Sequence, residues 1–281
     1  MIGQAERVAE LNRLSAALPA GGKSKIISFT SGKGGTGKTL LSLNIAYALS
    51  NAGAKVLFID LDLNLSNAHI MLNEIASKTL GGFFEGKCLL KELVTEYGKN
   101  LHFIFGDSGS DVYSVNVSGN IKRFFAQLSR IAGEYDYIFL DTGSGAGEGT
   151  MKILKNSDTS IFVITPEPTA VMDAYVIMKL MKNYSVSGEK YAIINKCNSE
   201  SEGESAFENL TAAASHFLKD EIRMLGTIKN DELVNKSILA QKLLLQMYPQ
   251  AEISLQISSA SQRINEFIHL ANIRHTASCV R

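Results

Sequence analysis

The chain has 281 residues, 45% of them hydrophobic, which is large for one domain, small for two, and enough for a sizeable core. Its 28 Lys and Arg equal its 28 Asp and Glu, so the whole molecule offers no basic field of the kind that holds nucleic acid without sequence preference, and a nucleic-acid partner is not expected. The three cysteines, Cys88, Cys197 and Cys279, are odd in number, far apart and without a C-x-x-C pair, so they read as free thiols in a reducing cytosol.

No apolar run approaches the roughly 20 residues of a membrane span. The N-terminus carries Glu6 and Glu10 where an export signal would be basic and then apolar, so a cytoplasmic protein is expected. Residues 1–24 stand apart from the rest. Gln4 to Leu18 has Val8, Leu11, Leu14 and Leu18 on one helical stripe, and Pro19-Ala20-Gly21-Gly22-Lys23-Ser24 follows as a linker. The expected organisation is an N-terminal helix and linker over 1–24, the helix docking on its own core or on a partner, then one domain over 25–281 that ends in a helix.

From residue 25 onward, short apolar runs alternate with longer amphipathic ones. The pattern predicts strands over 25–30, 55–60, 101–106, 135–141, 158–164, 191–195 and 223–228. It predicts helices near 38–50, 115–132, 147–156, 168–182, 204–219, 232–246 and 251–273. Runs such as Tyr137-Ile138-Phe139-Leu140 are apolar throughout, as in strands covered on both faces. The fold class is therefore α/β: a single doubly wound, mostly parallel sheet with helices on both faces.

Between the first strand and the first helix lies Ser31-Gly32-Lys33-Gly34-Gly35-Thr36-Gly37-Lys38-Thr39. This strand–loop–helix context is what G-x-x-x-x-G-K-[ST] needs, because its glycines let successive backbone N–H groups curl around phosphate oxygens at a helix N-terminus. Lys38 is expected on the β- and γ-phosphates and the Thr39 hydroxyl on Mg²⁺. After the second strand come Asp60 and Asp62, carboxylates that alternation points to the same side. The fourth strand ends in Asp141, followed by Thr142-Gly143-Ser144-Gly145-Ala146-Gly147, an Asp at a strand end with a glycine-rich segment beyond it. Both strand ends lie where open α/β sheets bind ligands, and a carboxylate there can hold Mg²⁺ through water.

Lys33 is a second cation that a plain phosphate loop does not require. Lys33-Gly34-Gly35-Thr36-Gly37-Lys38-Thr39 closely resembles the deviant Walker A motif of the MinD/ParA ATPases, in which this lysine contacts nucleotide across a dimer interface. The resemblance implies a MinD-like ATPase that hydrolyses ATP to ADP and phosphate with Mg²⁺ and dimerises on ATP. Asp60-Leu61-Asp62 with Asn67 resembles the family's switch I, making Asp62 the water-positioning residue with Asp60 and Asn67 in support. Asp141 and Gly145 resemble switch II. The implied catalytic set is Asp62, Lys33 and Lys38. The nucleotide-binding set is Gly32, Lys33, Gly34, Gly35, Thr36, Gly37, Lys38, Thr39, Leu40 and Asn195, and the metal set is Thr39, Asp60 and Asp141. Asn195 stands where the family has a base-contacting Asn, and an amide can pair with adenine N6 and N7 together. At Gly226-Thr227-Ile228-Lys229-Asn230-Asp231, Lys229 replaces the usual proline.

Thr165-Pro166-Glu167-Pro168-Thr169-Ala170-Val171-Met172-Asp173-Ala174-Tyr175 resembles a segment typical of the flagellar-number regulators of the FlhG (FleN/YlxH) group, with Pro168 opening a helix and Asp173 one turn in. Gln4-Ala5-Glu6-Arg7 partly resembles the helix by which that group stimulates the FlhF-type GTPase, although Gly3 replaces an Asp. The resemblance covers residues 25–272, and 3–14 in part. It implies an ATP-bound homodimer that sets flagellar number or placement. The implied partners are an FlhF-type GTPase bound through residues 3–18, flagellar switch proteins or a flagellar transcription activator, and the inner face of the cell membrane. Ile264, Phe267, Ile268 and Ala271 form the apolar face of the last helix, which either packs on the sheet or meets lipid. The alternative function is a ParA-type DNA- or cargo-partitioning ATPase. Iron–sulfur relatives lack support without paired cysteines, a metabolic P-loop ligase has no evident need for Gln4 to Leu18, and a tyrosine autokinase would carry a tyrosine cluster in its tail.

Overall fold

The computed structural model describes residues 24–62, 66–76, 78–107 and 117–278. Eight strands form one sheet in the order β3-β4-β2-β5-β1-β6-β7-β8. They are β1 (Lys25–Thr30), β2 (Val56–Leu61), β3 (Thr95–Glu96), β4 (Leu101–Ile104), β5 (Tyr137–Thr142), β6 (Thr159–Ile164), β7 (Glu189–Cys197) and β8 (Arg223–Lys229). All pairs are parallel except β3 with β4, so the doubly wound, mostly parallel sheet expected from the sequence is what forms.

Strands β2, β5 and β6 are buried at every residue, and their side chains divide between the two faces by simple alternation. Tyr137 and Phe139 join Ile27, Phe29, Phe58 and Phe103 under two helices, α1 (Lys38–Asn51) and α10 (Glu252–Ser278). Ile138 and Leu140 join Leu57, Ile59 and Ile104 on the other face, under α4 (Val117–Ile131). Further along that face, Phe162, Ile164, Ala192 and Ile194 lie under α5 (Glu148–Lys155), α6 (Pro168–Asn183) and α7 (Glu200–Ala213). A strand buried on both sides has no polar positions to spare, which is why these segments read as continuous apolar runs.

Four short elements departed from the sequence pattern. β3, the helices α2 (Ala68–Met71) and α3 (Leu80–Phe84), and a 3₁₀ turn at Leu90–Leu93 are too short for any periodicity to register. The helix expected over 204–219 instead begins at Glu200, because the Ser199 hydroxyl accepts the Glu202 N–H as an N-cap, and it passes into a π turn at Ala214–Leu218. The helix expected over 232–246 is two helices, α8 (Glu232–Leu239) and α9 (Leu244–Met247). Gln241 adopts φ 52° between them, and the buried Asn44 amide oxygen takes the Leu245 N–H at 3.0 Å, so α9 is anchored to α1 rather than continuing α8. The predicted helix over Gln4 to Leu18, like Cys279, lies outside the described residues.

Helix α10 runs against the sheet through Phe267. Ile253, Ile257, Ala260 and Ile264 are buried, Phe267 stacks on Tyr191 with centroids 5.3 Å apart and planes 11° apart, and the Tyr137 hydroxyl donates to Asn265 Oδ1 at 2.6 Å. Among the described residues, no helix is long and apolar enough to cross a membrane.

Candidate nucleotide-binding site

Strands β2, β5 and β1 are adjacent, and their C-terminal ends bring three separate motifs to one place. Asp60 and Asp141 are direct partners in the β2–β5 register, and Phe29, two residues before the phosphate loop, pairs with Asp141. The parallel sheet itself therefore sets two carboxylates side by side beneath Gly32–Thr39.

Both Asp141 oxygens are engaged. Lys38 Nζ lies 2.8 Å from Oδ1 and the Thr39 hydroxyl donates to Oδ2 at 2.6 Å, with Asp141 fully buried and Lys38 nearly so. A buried charge needs such a partner, since an unpaired one would cost several kcal/mol. Asp60, 1% exposed, accepts from the Ser66 hydroxyl at 2.7 Å and from the backbone N–H groups of Asp62 and Ala68 at 3.0 and 3.1 Å. Burial, and then the charge of Asp141, push its carboxyl up to about 6 against those stabilising hydrogen bonds. A divalent cation beside the pair would relieve that repulsion. Thr39, Asp60 and Asp141 form the oxygen donor set that suits Mg²⁺, which keeps most of its water. Among the described residues no group of three or more His, Cys, Asp or Glu forms a closed metal cage, so a metal held here would be shared with water and substrate.

The loop has the geometry of an anion cradle. Gly35 and Gly37 adopt φ 78° and 86°, the left-handed region where glycine carries no steric penalty. Helix α1 begins directly at Lys38, with no side-chain cap and no acidic residue in its first turn, so no side chain competes with an anion for its N-terminal N–H groups. The Thr36 hydroxyl is buried with no protein partner. These features fit a phosphate ligand.

The remaining residues surround this centre. Asp62 lies beyond the end of β2, its carboxylate 3.5 Å from where a Cβ on Gly143 would stand, so the segment after β2 and the start of the glycine-rich segment after β5 are in contact. Gly145 N donates to Ser31 O at 2.8 Å, joining that segment to the phosphate loop. Asn195 is buried and donates Nδ2 to Thr36 O at 2.7 Å, leaving its oxygen and second N–H for other partners. Lys229 turns onto α10: its backbone N–H donates to Gln256 Oε1 at 2.9 Å and its ammonium pairs with Glu252 at 2.7 Å. A proline in that place could not make the first of these bonds.

Glu167 and Lys196 are not singled out in the sequence, and Asp173 is placed there only as lying one turn into a helix. Glu167 is the partner of Lys33, at 3.6 Å, in an exposed ion pair. Asp173 packs so closely on Gly32 that a Cβ there would fall 2.2 Å from its own Cβ, which fixes α6 against the phosphate loop. Lys196 Nζ donates to Gly35 O at 2.8 Å. The sequence holds no signal for these contacts beyond adjacency to Pro168 and Asn195, and adjacency does not reveal a contact with a loop so distant along the chain.

A family model described as an AAA domain matches residues 24–193, more than half of the chain. The chain is 28% identical to the antiactivator FleN of Pseudomonas aeruginosa over 254 residues, 89% of each chain. It is 32% identical to the flagellum site-determining protein YlxH of Helicobacter pylori over 237 residues, 84% of this chain and 80% of the relative. The chain belongs to the MinD/ParA family of phosphate-loop ATPases. The fold of this MinD/ParA ATPase is shared with the septum site-determining protein MinD of Pyrococcus horikoshii, solved as its complex with Mg-ADP. The two superpose with a TM-score of 0.75 at 21% identity, over 88% of this chain and 98% of the other.

Proposed function

We propose that this MinD/ParA ATPase is a regulator of flagellar number or placement that binds and hydrolyses ATP, dimerises on ATP and is reset by hydrolysis. The observation that carries the reading is the convergence of Lys38, Thr39, Asp141 and Asp60 at adjoining strand ends beneath an anion-cradling loop. The kinship with FleN and YlxH supports the flagellar role.

In this reading Gly32 to Leu40 surround the phosphates and Lys38 leaves Asp141 for the β- and γ-phosphates. Asn195 offers one acceptor and one donor to the adenine edge, which guanine, with two acceptors there, does not match. Thr39, with Asp60 and Asp141 through water, would hold Mg²⁺, which would supply neutralisation of the charge that develops on the phosphates. Asp62 orients a water for in-line attack. The bond from the γ-phosphorus to the bridging oxygen breaks, and ADP and phosphate leave. Such chemistry asks the protein mainly for positioning. Lys33 reaches the phosphates of a second subunit. Its pair with Glu167 is solvent-exposed, hence worth under about 1 kcal/mol, and is readily exchanged. Residues 3–18 engage an FlhF-type GTPase, and flagellar switch proteins or a transcription activator read the dimer. The protein works in the cytoplasm, peripherally at the inner face of the membrane when dimeric.

The test is Asp62→Ala. The variant is expected to bind ATP like the wild type, to lose hydrolysis by at least about a hundredfold, and to accumulate as an ATP dimer. In the parent bacterium it should alter flagellar number. Unchanged turnover would remove Asp62 from the mechanism, and unchanged flagellation in a deletion strain would remove the flagellar role.

A further inference from the structure

Lys196 is the next-to-last residue of β7, beside Asn195, and its side chain runs back to the phosphate loop. Its ammonium donates to the Gly35 carbonyl at 2.8 Å, while the Asn195 amide donates to the next carbonyl, Thr36, at 2.7 Å. Two neighbouring side chains of one strand thus hold two consecutive carbonyls of the loop. Lys196 has φ 61°, the left-handed region that a long side chain seldom occupies and that persists where the surroundings enforce it. Asn195 Nδ2 sits 2.4 Å from where a Cβ on Gly37 would be, so strand end and loop are packed without slack.

We propose that Lys196 is a positioning residue for the phosphate loop, and that with Asn195 it forms a brace that turns the loop's N–H groups toward the phosphates. The inference rests on the nucleotide-site reading above. Its basis is the planarity of the peptide bond. In each trans peptide unit the C=O and the following N–H point in opposite directions. Holding the Gly35 carbonyl outward therefore aims the Thr36 N–H inward, and holding the Thr36 carbonyl outward aims the Gly37 N–H inward. Convergent N–H groups are what makes such a loop an anion site. The brace also ties the base side of the site, at Asn195, to the phosphate side, so a base seated against Asn195 tightens the grip on the phosphates.

Because Lys196 is exposed, it can be replaced without opening the core. The experiment compares the full-length wild type, Lys196→Met and Lys196→Arg in calorimetric titrations with Mg-ADP and with base-free tripolyphosphate. Lys196→Met is expected to weaken both ligands by the same factor, roughly tenfold for the loss of a hydrogen bond from a charged donor. The deficit should persist at about 1 M salt, where long-range attraction is screened within about 3 Å. Lys196→Arg should restore most of the affinity, and the unfolding midpoint of the ligand-free variants should stay at the wild-type value. A loss confined to Mg-ADP would make Lys196 a base contact and overturn the proposal. So would a loss that vanishes in high salt, or wild-type affinity in Lys196→Met. A wild type that binds neither ligand would defeat the nucleotide-site reading itself, an outcome distinct from all of these.

Discussion

At the scale of single residues, the site is an arrangement of buried charges that the fold must keep paired. Lys38 is the counter-ion of Asp141, which has no access to solvent. Lys38→Ala should therefore do two things: abolish ATP binding in calorimetry, and lower the unfolding midpoint of the ligand-free protein. Stranding a buried carboxylate costs about 3–5 kcal/mol, on the order of 10 °C for a chain of this size. Full nucleotide affinity in that variant would overturn the loop assignment. Asp60 is shifted in the opposite direction to most carboxylates of folded proteins, because its carboxyl is raised to about 6 by burial and by Asp141. The folded state holds this proton more tightly than the unfolded chain, so the group's contribution becomes less favourable as pH rises from near 4 to near 6 and is constant above. Urea midpoints at pH 5 and 7 test the sign. Relative to Asp60→Asn, the wild type should lose about 1 kcal/mol over that interval, and a relative gain would contradict the account.

At the scale of elements, what could be read from the sequence was whatever local chemistry repeats at a fixed spacing. The fully buried strands announce themselves by apolar runs, and Gly32 to Thr39, Asp60 and Asp141 by motifs whose spacing the phosphate chemistry dictates. The pairing of Lys33 with Glu167, the contact of Gly32 with Asp173 and the brace from Lys196 depend on how β1, β6 and β7 align in space, and no spacing along the chain encodes that. The break between α8 and α9 was hidden for the same reason: Asn44, on a helix two hundred residues earlier, supplies the hydrogen bond that restarts the chain. The last helix illustrates a choice the sequence left open. Its face at Ile264 and Phe267 could meet lipid but was expected first to pack on the sheet, and here it is packed on the sheet. Phe267→Ala should cost about 1–3 kcal/mol and lower the unfolding midpoint by several degrees. An unchanged midpoint would mean that this turn of α10 is free of the domain. At the other end, Gln4→Ala should spare intrinsic ATPase while losing stimulation of an FlhF-type GTPase, and equal stimulation would remove residues 3–18 from that role.

At the scale of the whole molecule, the sheet serves as a frame that brings a phosphate loop, the segments after β2 and β5, and the Asn195–Lys196 pair to the ends of β1, β2, β5 and β7, while α1 and α10 close one face and α4 to α7 the other. In the proposed function the partner recognised through the nucleotide state is a second copy of this chain. That proposal turns on Lys33, whose ion pair with Glu167 is exposed to solvent. The most direct measurement is size-exclusion chromatography with light scattering under Mg-ADP and under Mg-ATP, for Asp62→Ala and for the double variant Asp62→Ala, Lys33→Ala. The account predicts a monomer with ADP, a dimer with ATP, and a monomer under both nucleotides once Lys33 is removed, with ATP affinity retained. A dimer that forms with ATP regardless of Lys33, or a monomer with ATP in Asp62→Ala, would contradict it.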